Sequence, residues 1–312
     1  MANDRNSRGN CSMFEEPVVR AMAALYAVFV LFFIATALSW LASPRRTPPS
    51  SKVVGWPNYG STLILWTLHA IVVLVLFCLQ RCLIVVHPEE FYRSIIPSNI
   101  LHWLAVTFLL GTVLFPICRG LERLQGSPSE SWYVRACVVF FLFTIFVIIH
   151  LALFIWHAMS FAKYSRLPGA FPEYIYTHAT LTALWLVIIL AAIGKMLVTV
   201  NRAHIYVPLS LWTWVITLAL GLFSYGFLST FQVFYYDIPP RDLRNYTASE
   251  SITWQVLPPF TILLSLFAIR QVSQILSREL AALDVAHSSY KPGHASESDP
   301  EGSPSGCHGT TR

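Results

Sequence analysis

Charged side chains are missing from seven long stretches of this 312-residue sequence. No Asp, Glu, Lys or Arg occurs in 21–41, 53–80, 94–118, 136–162, 174–194, 203–236 or 251–269, each a run of 19 or more residues. Charge is scarce overall, at 12% against about 25% in an ordinary soluble domain, while 55% of residues are hydrophobic. A soluble fold could not hide that much apolar surface. A bilayer core of about 30 Å takes about 20 mainly apolar helical residues, so every run is long enough to cross it. The runs also lack the strict alternation of barrel strands, and backbone amides cannot stay unpaired in hydrocarbon, which leaves helices. The expected fold is all-α: an integral membrane bundle of seven transmembrane helices, with spans near 21–41, 60–80, 97–118, 136–157, 174–194, 206–234 and 252–270.

Other absences narrow the function. No acid or base lies well inside any predicted span. That disfavours carriers built on a buried acid, retinal proteins with a lysine in the last span, and prenyl-transfer enzymes that hold metal on acidic clusters. There is no glycine-rich phosphate loop, no paired-cysteine metal spacing and no serine nucleophile elbow. The third span ends Ile117, Cys118, Arg119, Gly120 with no acid before the arginine, and the seventh lacks an Asn-Pro pair followed by Tyr. Seven spans alone therefore do not make a conventional G-protein-coupled receptor. The six cysteines form no disulfide framework, although Cys11 and Cys82 fall on one side and could bridge there, and Cys118 or Cys137 is placed for acylation. Basic residues are scattered, so the net charge of +5 points to a membrane surface and not to nucleic acid.

Two signals orient the chain. The amino-terminal segment and even-numbered loops hold 9 Lys and Arg, against 12 in the odd-numbered loops and tail, a small cytoplasmic excess for the latter. The glycosylation sequons at Asn10 and Asn245 share the opposite side. Both signals put the amino terminus (1–17) outside and the carboxyl terminus in the cytoplasm. The first span follows Glu15, Glu16 and Arg20 without a small-residue cleavage pattern, so it reads as a retained anchor. Residues 270–283 can extend the last helix, and 284–312, rich in Ser, Gly and Pro, reads as a disordered cytoplasmic tail. Pro258 and Pro259 either start the seventh helix or kink it.

Histidines are the remaining polar groups of chemical interest. His102, His150, His157 and His178 fall in one leaflet, and His150 and His157, seven apart, share a helix face. Neutral imidazoles can ligate haem iron or a metal ion, or sense protons, and they also pack at membrane interfaces or bond across helices. Both readings stay open; no cofactor is identified. His69 lies deeper, as an interhelical hydrogen-bonding group. Trp103, Trp132, Trp156, Tyr235 and Tyr236 read mainly as an aromatic belt. Gly221 and Gly226, with Ser224, Ser229 and Gln232, mark a face of the sixth span for close packing or a wet cavity.

The segment Asn99, Ile100, Leu101, His102, Trp103 opening the third span, with His204, Ile205, Val207, Pro208, Leu209, Trp212 and Thr213 opening the sixth, resembles a fungal family of multi-pass membrane proteins of unknown function. The resemblance implies a helical membrane bundle and carries over no catalytic residue. A non-enzymatic membrane protein is the favoured reading: a transport accessory, sensor or scaffold, partnered by the bilayer and by further copies or other membrane proteins. Its rivals are a membrane oxidoreductase or haem or metal protein using the four outer histidines, and a solute carrier or receptor with a cavity near Pro258, Pro259, Gln232 and Gln255.

Overall fold

The structure, a computed structural model, describes residues 17–41, 53–82, 88–126, 129–164, 171–203, 208–234 and 248–289. Among them there is no β-strand. The helices are α1 (Pro17–Leu41), α2 (Ser61–Arg81), α3 (Pro88–Thr112), α4 (Cys118–Leu124), α5 (Glu130–Tyr164), α6 (Phe171–Arg202), α7 (Leu209–Gln232) and α8 (Ala248–Ser289). Among the described residues, seven helical segments are long and apolar enough to cross a membrane, with α3 and α4 forming one of them. The seven expected spans are therefore present, and an odd number puts the start of α1 and the end of α8 on opposite sides. These are called the amino-terminal and carboxyl-terminal sides below.

Neighbours in sequence are neighbours in space. α1 packs on α2, α2 on α3, α3 on α5, α5 on α6, α6 on α7 and α7 on α8, and α8 returns to α1 to close the ring. α3 sits deepest: 56% of the third span's most apolar window is buried, against 17% in the second and 22% in the first and fourth. Its continuation α4 reaches across to touch both α6 and α8. By contrast Leu31, Phe141 and Val187 are each more than 60% exposed, as lipid-facing side chains should be.

Several ends differ from the sequence reading. The third span does not stop near 118. It passes Pro116 through a wider π-type turn at Val113–Ile117 and continues to Leu124. Proline cannot donate a backbone hydrogen bond and crowds the preceding turn, and a local change of helical pairing accommodates it. Gly126, at φ 77°, then closes α4 by donating its N–H to the Arg123 carbonyl at 3.0 Å. Pro258 and Pro259 neither start α8 nor end it, since the helix begins ten residues earlier at Ala248. α8 is helical through Ser289, so residues 284–289 belong to the helix and not to the tail. The tail from 290, the two sequons, Tyr235 and Tyr236 lie outside the described residues.

Close packing, the first of the two roles set out for Gly221 and Gly226, is what the structure shows. A Cβ at Gly221 would lie 2.5 Å from Ser265 Oγ on α8, and one at Gly226 would lie 2.6 Å from the Trp185 ring on α6. Small residues let helices approach where lipid offers no hydrophobic drive to associate. Arg270 on α8 holds the far end of α1, donating to the Ser39 hydroxyl at 2.6 Å and the Ser39 carbonyl at 3.1 Å. A cation at a helix carboxyl end offsets the dipole and satisfies last-turn carbonyls.

Candidate functional site

Five histidines from four helices meet on the amino-terminal side of the bundle. α2 supplies His69, α3 supplies His102, α5 supplies His150 and His157, and α6 supplies His178. The structure thus brings together all four predicted site residues and adds His69. The imidazole rings of His150 and His178 lie 5.1 Å apart, with His150 Nε2 at 3.4 Å from His178 Nδ1. On the other flank the rings of His69 and His102 are 5.2 Å apart. Trp103 stands between the pairs, edge-on to His150 at 5.3 Å and to His178 at 5.7 Å.

The seven-residue spacing of His150 and His157 has the consequence expected of it. Both rings turn toward α6 and stack on Tyr174, at 5.2 Å (23°) and 5.9 Å (5°). Tyr174 and His178 are one turn apart, so a single face of α6 meets a single face of α5.

Hydrogen-bond partners fix three tautomers. The Thr177 hydroxyl donates to the Tyr174 carbonyl at 2.9 Å, so its oxygen is left to accept from His150 Nδ1–H at 3.4 Å. His150 Nε2 then carries a lone pair, which accepts from His178 Nδ1–H. His69 Nδ1 faces the Ser98 carbonyl at 3.1 Å, an acceptor only, so His69 also bears its proton on Nδ1 and a lone pair on Nε2. This is the interhelical bond expected of His69. His102 Nε2 pairs with the Tyr225 hydroxyl at 3.2 Å, and Tyr225 bonds in turn to Ser229.

The surroundings are aromatic and carry no carboxylate among the described residues. Trp66 packs edge-on to His69, His102 and Tyr225 at 5.5–5.9 Å, and Trp185 to Tyr225 at 5.1 Å. A cavity of about 20 Å³, room for one water, lies against His102, Trp103, Trp185, Tyr225 and Ser229. Trp103, expected in the interfacial belt, is only 2% exposed and belongs to the core. Trp156, at 57%, fits the belt.

These residues do not fit a haem. Trp103 and Tyr174 fill the spaces between the imidazoles, and the cavity beside His102 is far smaller than a macrocycle. Nor do three His, Cys, Asp or Glu side chains converge as a metal site among the described residues. What remains is a set of imidazoles, three with the lone pair fixed on Nε2 by their partners, in contact with one another.

A second polar site was missed in the sequence. Glu122 lies four residues past the third charge-free run, yet it sits in α4 at 3% exposure, within the third span. Its carboxylate takes Lys195 Nζ of α6 at 2.6 Å and the Ser129 backbone N–H, at the start of α5, at 3.3 Å. Lys195 also lies over the Trp132 ring at 5.5 Å. The expectation that no acid or base lies well inside a span is corrected by Arg270, midway along the last span, while Glu122 and Lys195 lie toward the ends of theirs. Each is tolerated because a partner from another helix meets it. The cavity imagined near Pro258 and Gln232 gains no support, since Gln232 faces outward, and the Gln255 side chain lies outside the described residues.

Cys82, at the amino-terminal side, is disulfide-bonded, with a partner outside the described residues, while Cys78, Cys118 and Cys137 are free. Cys118 is 1% exposed, which leaves Cys137 as the thiol open to acylation. No protein-family model, no characterised protein and no solved structure matches this sequence.

Proposed function

We propose that this chain is a non-enzymatic, seven-helix membrane sensor that responds to protons through the histidine network. The observation that carries the reading is the direct contact of His150 with His178, with no acid beside the pair among the described residues. One proton can be shared between facing imidazoles, but a second places two cations about 3.4 Å apart in low dielectric. The groups facing the pair are Thr177 and Tyr174 of α6 and Trp103 of α3, with His157 beyond Tyr174, and none supplies a counter-charge. Across Trp103, His69 of α2, His102 of α3 and Tyr225 of α7 are equally without one. Protonation therefore strains the α5–α6 contact, and histidine is the side chain that can take up such a proton without a change in covalent chemistry.

Three observations support an extracytoplasmic amino-terminal side. Disulfides form in oxidising compartments, and Cys82 is bonded there. Asn10 and Asn245 fall on the same side by the parity of seven spans. Arg119, Arg123, Arg135, Arg202 and Arg278 are exposed on the opposite side, as the positive-inside rule expects of a cytoplasmic face. The resemblance to a fungal multi-pass family is consistent with this reading and assigns no reaction.

The test is tryptophan emission of the protein in lipid nanodiscs, titrated from about pH 8 down to about pH 4, because an imidazolium beside Trp103 quenches it. A reversible decrease that is lost in the His150→Phe, His178→Phe double variant supports the proposal. A flat titration of the unmodified protein, or an undiminished one in the double variant, removes it. A visible absorption band or stoichiometric metal lost in both His150→Ala and His157→Ala would establish the rival cofactor reading instead.

A further inference from the structure

At the carboxyl-terminal end of the bundle, α4 presents Arg119 and Arg123, four residues apart and both exposed. Side chains at this spacing stand over one another on one helix face, and like charges there repel by a few tenths of a kcal/mol. Nothing acidic among the described residues relieves them. The acid between them, Glu122, points inward and is taken by Lys195 and the Ser129 N–H. Arg119 is nevertheless held in place, its guanidinium 5.0 Å over the ring of Tyr133, which Phe115 packs edge-on at 5.8 Å. Tyr133 is 41% exposed, and Trp132 is beside it at the start of α5. Tyrosine and tryptophan at a helix end mark the headgroup level of a bilayer. An uncompensated pair of guanidinium groups at that depth, one of them held over a ring, matches the phosphate of an anionic lipid, which guanidinium binds with two parallel hydrogen bonds.

We infer that Arg119 and Arg123, with Tyr133 as the platform for Arg119, form a binding site for the headgroup of an anionic glycerophospholipid in the leaflet on the carboxyl-terminal side. The lipid phosphate sits between the two guanidinium groups, and its acyl chains run along the exposed face of α5, where Val134, Val138 and Phe141 are 54–65% exposed. The inference does not depend on the histidine network, whose variants leave this end of the bundle untouched.

Native mass spectrometry of the intact protein released from nanodiscs tests it, comparing phosphatidylcholine alone with phosphatidylcholine containing phosphatidylserine. Preferential retention of phosphatidylserine is expected, falling about fivefold for each arginine removed in Arg119→Gln and Arg123→Gln. The double variant with lysine at both positions should retain much of the preference, and Arg93→Gln, on the other side, should retain all of it. Equal retention of the two lipids, or a preference unchanged in the double glutamine variant, overturns the proposal. Displacement of phosphatidylserine by millimolar inorganic phosphate also overturns it, in favour of a soluble anion. Size-exclusion elution unchanged from the parent protein shows that a loss of lipid is not a loss of fold.

Discussion

The two ends of this bundle solve the problem of buried polarity in opposite ways. On the carboxyl-terminal side the charges that lie within spans have fixed partners from other helices: Glu122 with Lys195 and the start of α5, and Arg270 with the end of α1. On the amino-terminal side the polar groups are neutral imidazoles, hydroxyls and indoles touching one another, with no charge to anchor them. The first arrangement is a clasp, because breaking it strands a charge. The second can exist in more than one protonation state while the helices stay in place. One end held by charged partners and one by contacting imidazoles is the division of labour that the proposed sensor would use.

The comparison predicts a large effect at the clasp. Glu122→Ala leaves Lys195 and the Ser129 N–H without their acceptor, and removing one member of a buried pair is among the most damaging single changes. Lys195 is 25% exposed and can turn toward water, so a loss of about 2–3 kcal/mol is expected, read as a drop in melting temperature of detergent-purified protein. Glu122→Ala, Lys195→Met should recover part of it. Were Glu122→Ala as stable as the parent, the clasp would not be what holds this end together.

Somewhat smaller effects are expected where helices touch through glycine. Gly226→Leu must displace the Trp185 ring and with it the aromatic wall of the histidine network, at about 1–3 kcal/mol. Gly194→Leu is the control, since nothing lies within 4 Å of a Cβ there. The same thermal melts should separate the two variants. Equal shifts would mean that α6–α7 packing is loose and that the network has no fixed wall.

Much of the fold was legible because hydrocarbon imposes one rule on every span, and charge-free runs state that rule directly. Part of the site was legible too. The seven-residue spacing of His150 and His157 fixes a shared face whatever the tertiary packing, and the two glycines of α7 announce close approach. Glu122 was not, because an acid four residues past a charge-free run looks like a loop residue until Lys195, far along the chain, is seen to meet it. Trp103 looked like a belt residue for the same reason: depth along a helix can be read from sequence, but which way a side chain turns cannot. Tyr174 and Tyr225 gave no signal except their spacing of four from His178 and Ser229, a spacing too common to single them out.

Within the amino-terminal half the comparison sharpens further, because the two histidine pairs are not held alike. His69 is pinned by a backbone carbonyl, and His102 is held by the Tyr225 hydroxyl at 3.2 Å. Tyr225→Phe removes one hydroxyl, with a loss of about 1 kcal/mol at most, since the ring still fills its place beside Trp66 and Trp185. It leaves His150, His178 and Thr177 as they are. If the response to acid belongs to the α5–α6 pair, Tyr225→Phe should keep its amplitude, whereas Thr177→Val, which frees His150 Nδ1 and with it the tautomer, should change it. The reverse result, with amplitude lost in Tyr225→Phe and kept in Thr177→Val, would move the proton-sensitive element to His69 and His102. The sensor would then work between α2, α3 and α7, and α5 and α6 would serve as its wall.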